Sequence, residues 1–142
     1  MIHNFEIDQH EFEAFISDKA MELQLKRVSD KEAQISSQEQ SLKRLLVLAS
    51  KGNTEAKFLA LYDASMRNLE IILLNNSFLI SKTPHLVLKK VVGILDPKLE
   101  IVHLVTRRHQ IKKNNFNAKL VDLAIVEELL DLLSGKITTW YQ

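Results

Sequence analysis

Residues 54–75 read TEAKFLALYDASMRNLEIILLN, and this stretch decides the fold class. Plotted at about 100° per residue, Phe58, Leu61, Tyr62, Ser65, Met66, Leu69, Ile72 and Leu73 fall on one face. Asp63, Arg67 and Glu70 fall on the opposite face, with Asp63 and Arg67 spaced i,i+4 for an ion pair. Neither glycine nor proline interrupts the run. The pattern predicts an amphipathic helix over Thr54–Asn75. Gly52 is the expected stop of the preceding helix and Asn53-Thr54 the expected cap of this one. Asn75-Asn76 should end it, since asparagine tolerates the left-handed conformation.

Upstream, Ser29-x-x-Glu32 has the form of a capping box and predicts a helix running to about Ser50, with Leu42, Leu45, Leu46 and Leu48 buried. Ser37-x-x-Gln40 is a competing start. A further helix is expected over Gln9–Leu25, with Phe12, Phe15, Ile16 and Leu23 facing inward. Downstream, Thr83-Pro84 and Asp96-Pro97 each read as an N-cap followed by proline at the first helical position. They predict a short helix to about Leu95 and a longer one to about Asn114. The last helix is expected over Asn117–Thr139. Leu123, Ile125, Val126, Leu129, Leu130, Leu132, Leu133 and Ile137 cover most of its circumference and leave Glu127, Glu128 and Asp131 as the wet strip. So wide an apolar surface suits a helix central to the bundle or one packed on another subunit. Trp140-Tyr141 should close the bundle. The chain therefore reads as all-α, with five or six helices.

Composition agrees. In 142 residues there are only 3 Gly and 2 Pro, too few for the tight turns of an all-β protein. Cysteine is absent, which excludes disulfides, thiolate zinc sites and thiol catalysis. No apolar run approaches the roughly 20 residues of a membrane span, and the N-terminus MIHNFEIDQH lacks the character of a secretory signal. A cytoplasmic protein with no membrane association is expected. The net charge of +1 hides an asymmetry: residues 1–40 carry 9 Asp/Glu against 4 Lys/Arg, and residues 82–119 carry 9 Lys/Arg against 2 Asp/Glu. A basic segment of that kind can meet phosphate or an acidic partner, and equally can be a solvated surface balancing the acidic end.

Arg108 is the residue that does not fit a plain helical bundle. Ile101, Leu104, Val105 and Ile111 define the apolar face of its helix, and Arg108 lies in the middle of that face. An unpaired guanidinium among apolar neighbours is costly, so the position calls for a carboxylate, a phosphate or a wet cleft. Around it runs Arg107-Arg108-His109-Gln110-Ile111-Lys112-Lys113-Asn114-Asn115, whose charges also complement the negative end of the helix dipole. Other chemistry is sparse. His103 and His109, six apart, do not share a helical face as an i,i+4 metal pair does. His85 reads as a first-turn polar residue rather than a ligand. His3 and His10 fall near the terminus, and Phe12, Phe15, Phe58 and Tyr62 read as core rather than as stacking platforms. No glycine-rich phosphate loop, nucleophile elbow or calcium loop occurs, so neither metal nor cofactor is expected.

The stretch Leu61-Tyr62-Asp63-Ala64-Ser65-Met66-Arg67-Asn68-Leu69-Glu70 resembles the second core helix of HEPN domains. It is followed by a short Pro84-His85 helix, the Arg108-His109 pair and a closing helix rich in leucine and acid, an order similar to the HEPN layout from about Leu42 to Ile137. The resemblance implies an up-and-down helical bundle over residues 41–142, with residues 1–40 as a helical extension packed on it in one compact domain. It implies a homodimer with the motifs facing each other across the interface. Many HEPN domains are metal-independent ribonucleases, often toxins of toxin–antitoxin pairs or parts of defence systems; others bind RNA, nucleotides or proteins without catalysis. Their motif is Arg, a polar residue and a short spacer ending in His. Arg108 and His109 match its opening, but Lys113, Asn114 or Asn115 stands where the final histidine belongs. Metal-free RNA cleavage needs a group titrating near neutrality; asparagine cannot titrate, and lysine would need a strongly lowered pKa.

The leading expectation is thus a HEPN-like homodimer, catalytically weak or inactive, that binds RNA or a nucleotide phosphate through Arg107, Arg108, Lys112, Lys113 and Asn114. An active endoribonuclease using Arg108 and His109 is the second reading. The third is a non-enzymatic interaction module or antitoxin-like adaptor, with a cognate antitoxin or a nucleotidyltransferase as the partner.

Overall fold

One helix organises the rest. In a computed structural model that describes residues 24–99, 101–113 and 117–141, with side chains as far as Ser134, and position 14, the stretch Thr54–Asn75 is a single helix. In chain order the described elements are β1 (Leu25–Arg27), α1 (Lys31–Lys51), α2 (Thr54–Asn75), β2 (Phe78–Ile80), α3 (Pro84–Leu95), α4 (Val102–Lys112) and α5 (Leu120–Tyr141). The fold is all-α apart from one two-stranded ribbon, and it has five helices among the described residues. Of the expected first helix only position 14, which is helical, and the end are described, and at the end Leu25 belongs to β1 instead.

The predicted apolar face of α2 is buried along its whole length, from Phe58 to Leu73. So are Ala60, Ala64, Asn68, Ile71 and Leu74, which places α2 at the centre with neighbours on nearly every side. Ala60 and Ala64 are small enough to let other helices approach. Centrality therefore belongs to α2 rather than to the wide-faced last helix. In α5, Asp122, Val126, Leu129, Leu132 and Leu133 form the buried stripe, while Glu127, Glu128 and Asp131 are exposed as expected. Glu55 accepts a hydrogen bond from Ala118 N–H, and Asn68 Nδ2 donates to Ser134 Oγ (2.8 Å), so α5 runs parallel to α2.

The helix α1 packs antiparallel on α2. Ile35 and Ala49 are buried and Leu42 half-buried, a seven-residue spacing that keeps one seam on its partner. Leu46 and Leu48, expected inside, lie off this seam and are exposed. The helix begins after Asp30 rather than Ser29, without a side-chain cap, and passes through Ser37 unbroken. It also passes through position 40, so the expected division between residues 1–40 and 41–142 falls inside a helix. Nothing there breaks it: Gln, Glu and Leu are all good helix formers.

Gly52 and Asn53 turn the chain from α1 into α2. Asn53 Oδ1 accepts from Ala56 N–H at 2.9 Å, the expected cap. Gly52 is the C-cap of α1 in an extended conformation (φ −83°), not a left-handed one. The requirement for glycine is spatial: a Cβ here would stand 2.7 Å from the Cβ of Ala56.

Three further expectations are corrected. Asn76 is not left-handed at the end of α2; Ser77 is, at φ 67°. The chain then forms β2, antiparallel to β1 with Leu25 opposite Ile80 and Arg27 opposite Phe78. Asp96 does not cap a helix at Pro97. It is the C-cap of α3, its Oδ1 accepts from Lys98 N–H, and α4 starts only at Val102. Thr83 precedes α3 with Pro84 at its start, but its hydroxyl does not cap the helix; it bonds the Gln24 side chain. No helix among the described residues is long and apolar enough to cross a membrane.

Candidate functional site

The first turn of α3, the middle of α2 and the last two turns of α4 converge on Tyr62. Its ring is fully buried and stacks against Phe58, with centroids 6.5 Å apart and planes at 29°. Its hydroxyl lies 2.8 Å from His85 Nδ1. On another side, the Arg108 guanidinium carbon sits 5.3 Å from the ring centroid, a cation–π distance. Arg108 also donates from Nε (3.2 Å) and Nη2 (3.1 Å) to Oδ1 of Asp63, the residue next to Tyr62.

This answers what the apolar face of α4 does with a guanidinium. Ile101, Leu104 and Ile111 are buried as expected, and Arg108 among them is matched by a carboxylate on α2. The pair is not sealed off: the side chains are 20% and 32% exposed. Among the described residues Nη1 of Arg108 has no hydrogen-bond partner. Lys112, one turn further along α4, is exposed and adds its charge to the field at His85.

The electrostatics favour the uncharged forms of both rings. Burial pushes the Tyr62 phenol up to about 12, with Arg108 opposing and Asp63 adding to the rise. It stays a hydroxyl at any ordinary pH. Burial also lowers the His85 pKa, helped by Arg108 and Lys112 and opposed by Asp63, so the imidazole is neutral near pH 7. A phenol that keeps its proton can donate to Nδ1, and a neutral ring accepting there carries its own proton on Nε2. With the ring in that tautomer the cluster presents, among the described residues, the open edge of Arg108, an Nε2–H and the Lys112 ammonium against one carboxylate. It is a set of hydrogen-bond donors with an excess of positive charge.

The other residues expected in the site are placed differently. Arg107 turns toward α5, with Nε 2.8 Å from Asp122 Oδ2, and also donates from Nη1 to Gln110 Oε1. Asp122 is buried in the first turn of α5 and also accepts from Lys119 N–H, so this pair joins α4 to α5. His109 is exposed, and its ring makes no hydrogen bond among the described residues. Lys113 is exposed at the C-cap of α4, and Asn114 lies outside the described residues. The expected Asp63–Arg67 pair does not form. Asp63 is engaged by Arg108, and Arg67 pairs with Glu70 at 3.3 Å and with Gln38.

Reading the chain alone passed over His85, the hydroxyl of Tyr62 and Asp63. One signal was available: a buried arginine calls for an acid, and Asp63 follows a core tyrosine on the clearest amphipathic helix. Comparison with protein-family models, curated proteins and solved structures finds no match to this chain.

Proposed function

We propose that this is a HEPN-like protein that binds RNA or a nucleotide through its phosphate, gripping it with Arg108, His85 and Lys112 and catalysing weakly or not at all. The observation that carries the reading is the state of Arg108. Its guanidinium is held on Tyr62 and on one oxygen of Asp63, yet keeps an edge open beside a neutral imidazole. A guanidinium fixed in place loses little side-chain entropy on binding, and its planar fork suits phosphate oxygens. Asp63 positions that fork but also opposes an incoming anion, so Lys112 is needed to leave the site positive.

The same geometry argues against efficient cleavage. An imidazole that accepts from Tyr62 at Nδ1 carries its proton on Nε2 and is a donor, not a base, for the 2′-hydroxyl. A dimer is part of this reading, as the resemblance implies.

The test is fluorescence anisotropy with a labelled single-stranded RNA over a range of salt concentrations. Affinity is expected to fall linearly with salt on logarithmic axes, as phosphate contacts require. Arg108→Ala should weaken binding by about tenfold or more, the worth of a charged hydrogen bond, and Lys112→Ala should lower the salt slope. His109→Ala should change neither, and the RNA should remain intact in EDTA. Unaltered binding by a folded Arg108→Ala protein would refute the assignment.

A further inference from the structure

Beside the phosphate grip, α3 and α4 leave an open cavity of about 250 Å³. Its walls are Leu86, Ile101, Val102 and Val105, with Lys89 and Thr106 at the edge. His85 lines it too, and so belongs both to this groove and to the cluster around Arg108. Val102 is 52% exposed and Leu86 is also exposed, so apolar surface faces solvent where it adjoins the donors around Arg108.

On the basis of the phosphate grip proposed above, we infer that the α3–α4 groove is a nucleobase subsite, and that the ligand is a nucleotide unit with its phosphate at Arg108 and its base between Leu86 and Val102. Three features of the groove favour that occupant. Its volume lies just under the range of roughly 300–1,000 Å³ typical of drug-sized ligands, which suits one ring system and excludes a dinucleotide. Its faces are aliphatic, apolar surface against which a flat base can be buried, while Lys89 offers a donor at the rim to the acceptor atoms on a base edge. The register also fits. Val105 precedes Arg108 by three residues, a rise of about 4.5 Å along the helix, which leaves room for a pentose between base and phosphate. Among the described residues Thr106 Oγ1 is engaged by a long 3.4 Å contact to Val102 O, which leaves the hydroxyl able to turn to a ligand.

Isothermal titration of the full chain with guanosine monophosphate, uridine monophosphate, ribose 5-phosphate and inorganic phosphate tests the inference. At least one nucleotide should bind about tenfold more tightly than ribose 5-phosphate, the effect of removing roughly 50–60 Å² of apolar surface from water at about 25 cal/mol per Å². Val102→Phe should erase that difference by filling the groove, and leave the affinity for ribose 5-phosphate unchanged. Because Val102 is exposed, the larger side chain leaves the core undisturbed. Equal affinities in the wild type, or a base preference that survives Val102→Phe, would overturn the subsite while the phosphate grip stands. If none of the four probes bound, the grip and the subsite would fall together.

Discussion

His85 is held neutral by its surroundings, and that has a consequence for stability. Its pKa in the folded chain lies below the ordinary value of about 6.5, chiefly through burial and then through Arg108 and Lys112. The unfolded chain therefore takes up a proton at a higher pH than the folded one. The stabilisation is complete above about pH 6.5 and is lost as the pH falls through the folded value. In thermal denaturation between about pH 5 and 8, the wild-type melting temperature should decline below that point, and His85→Gln should decline less. Inorganic phosphate at saturation should flatten the wild-type curve, because an anion beside the ring favours the imidazolium. A His85→Gln effect that is the same at every pH would mean that folding leaves the pKa of the ring unchanged. At this scale the oddity of Arg108 was legible from the apolar face around it. Its partner was not, because Asp63 and Arg67 stand at the ideal spacing for a local pair. Arg108 reaches that carboxylate from α4, while Arg67 is drawn to Glu70 and Gln38 instead.

The helices themselves were largely legible, and the turns decided where reading failed. The α2 boundaries followed from Asn53 and the apolar period, and α3 from Thr83-Pro84. The start of α4 was misplaced because Asp96-Pro97 has the residues of a cap, while the Asp96 side chain serves a local turn through Lys98. The β1–β2 ribbon left no trace in the pattern: three-residue strands are too short to show alternation, and the pairing joins residues some fifty positions apart. Gly52 was read correctly as a stop, but for a reason the structure replaces. Since its φ is one that any residue adopts, the cost of a side chain comes from contact with Ala56, which has no rotamer by which to yield. Gly52→Ala is therefore expected to destabilise the chain by about 1–3 kcal/mol, as overpacking does, measured by urea denaturation. Gly52→Ala with wild-type stability would show that the α1–α2 turn opens freely.

At the scale of the whole molecule, the N-terminal end of α2 gathers exposed apolar side chains from three helices. Leu48, 59% exposed, closes α1 just before the Gly52 turn. Val121 and Leu120, 59% and 79% exposed, open α5 beside the Glu55–Ala118 contact. A groove of about 450 Å³ lined by Leu45, Leu48, Ala56 and Leu59 runs along α1 and α2 from the same end. A soluble monomer seldom collects such surface without a use for it, and the dimer in the proposed function supplies one through a patch that can meet its own copy. Sedimentation at micromolar concentration should then give a dimer. Leu48→Asp and Val121→Asp should each shift it toward monomer, with little change in melting temperature because neither side chain is in the core. A dimer that persists in both variants would move the interface elsewhere on the surface. A wild-type monomer at every concentration would remove the second copy from the proposal and leave Arg108, His85 and Lys112 to hold phosphate within a single chain.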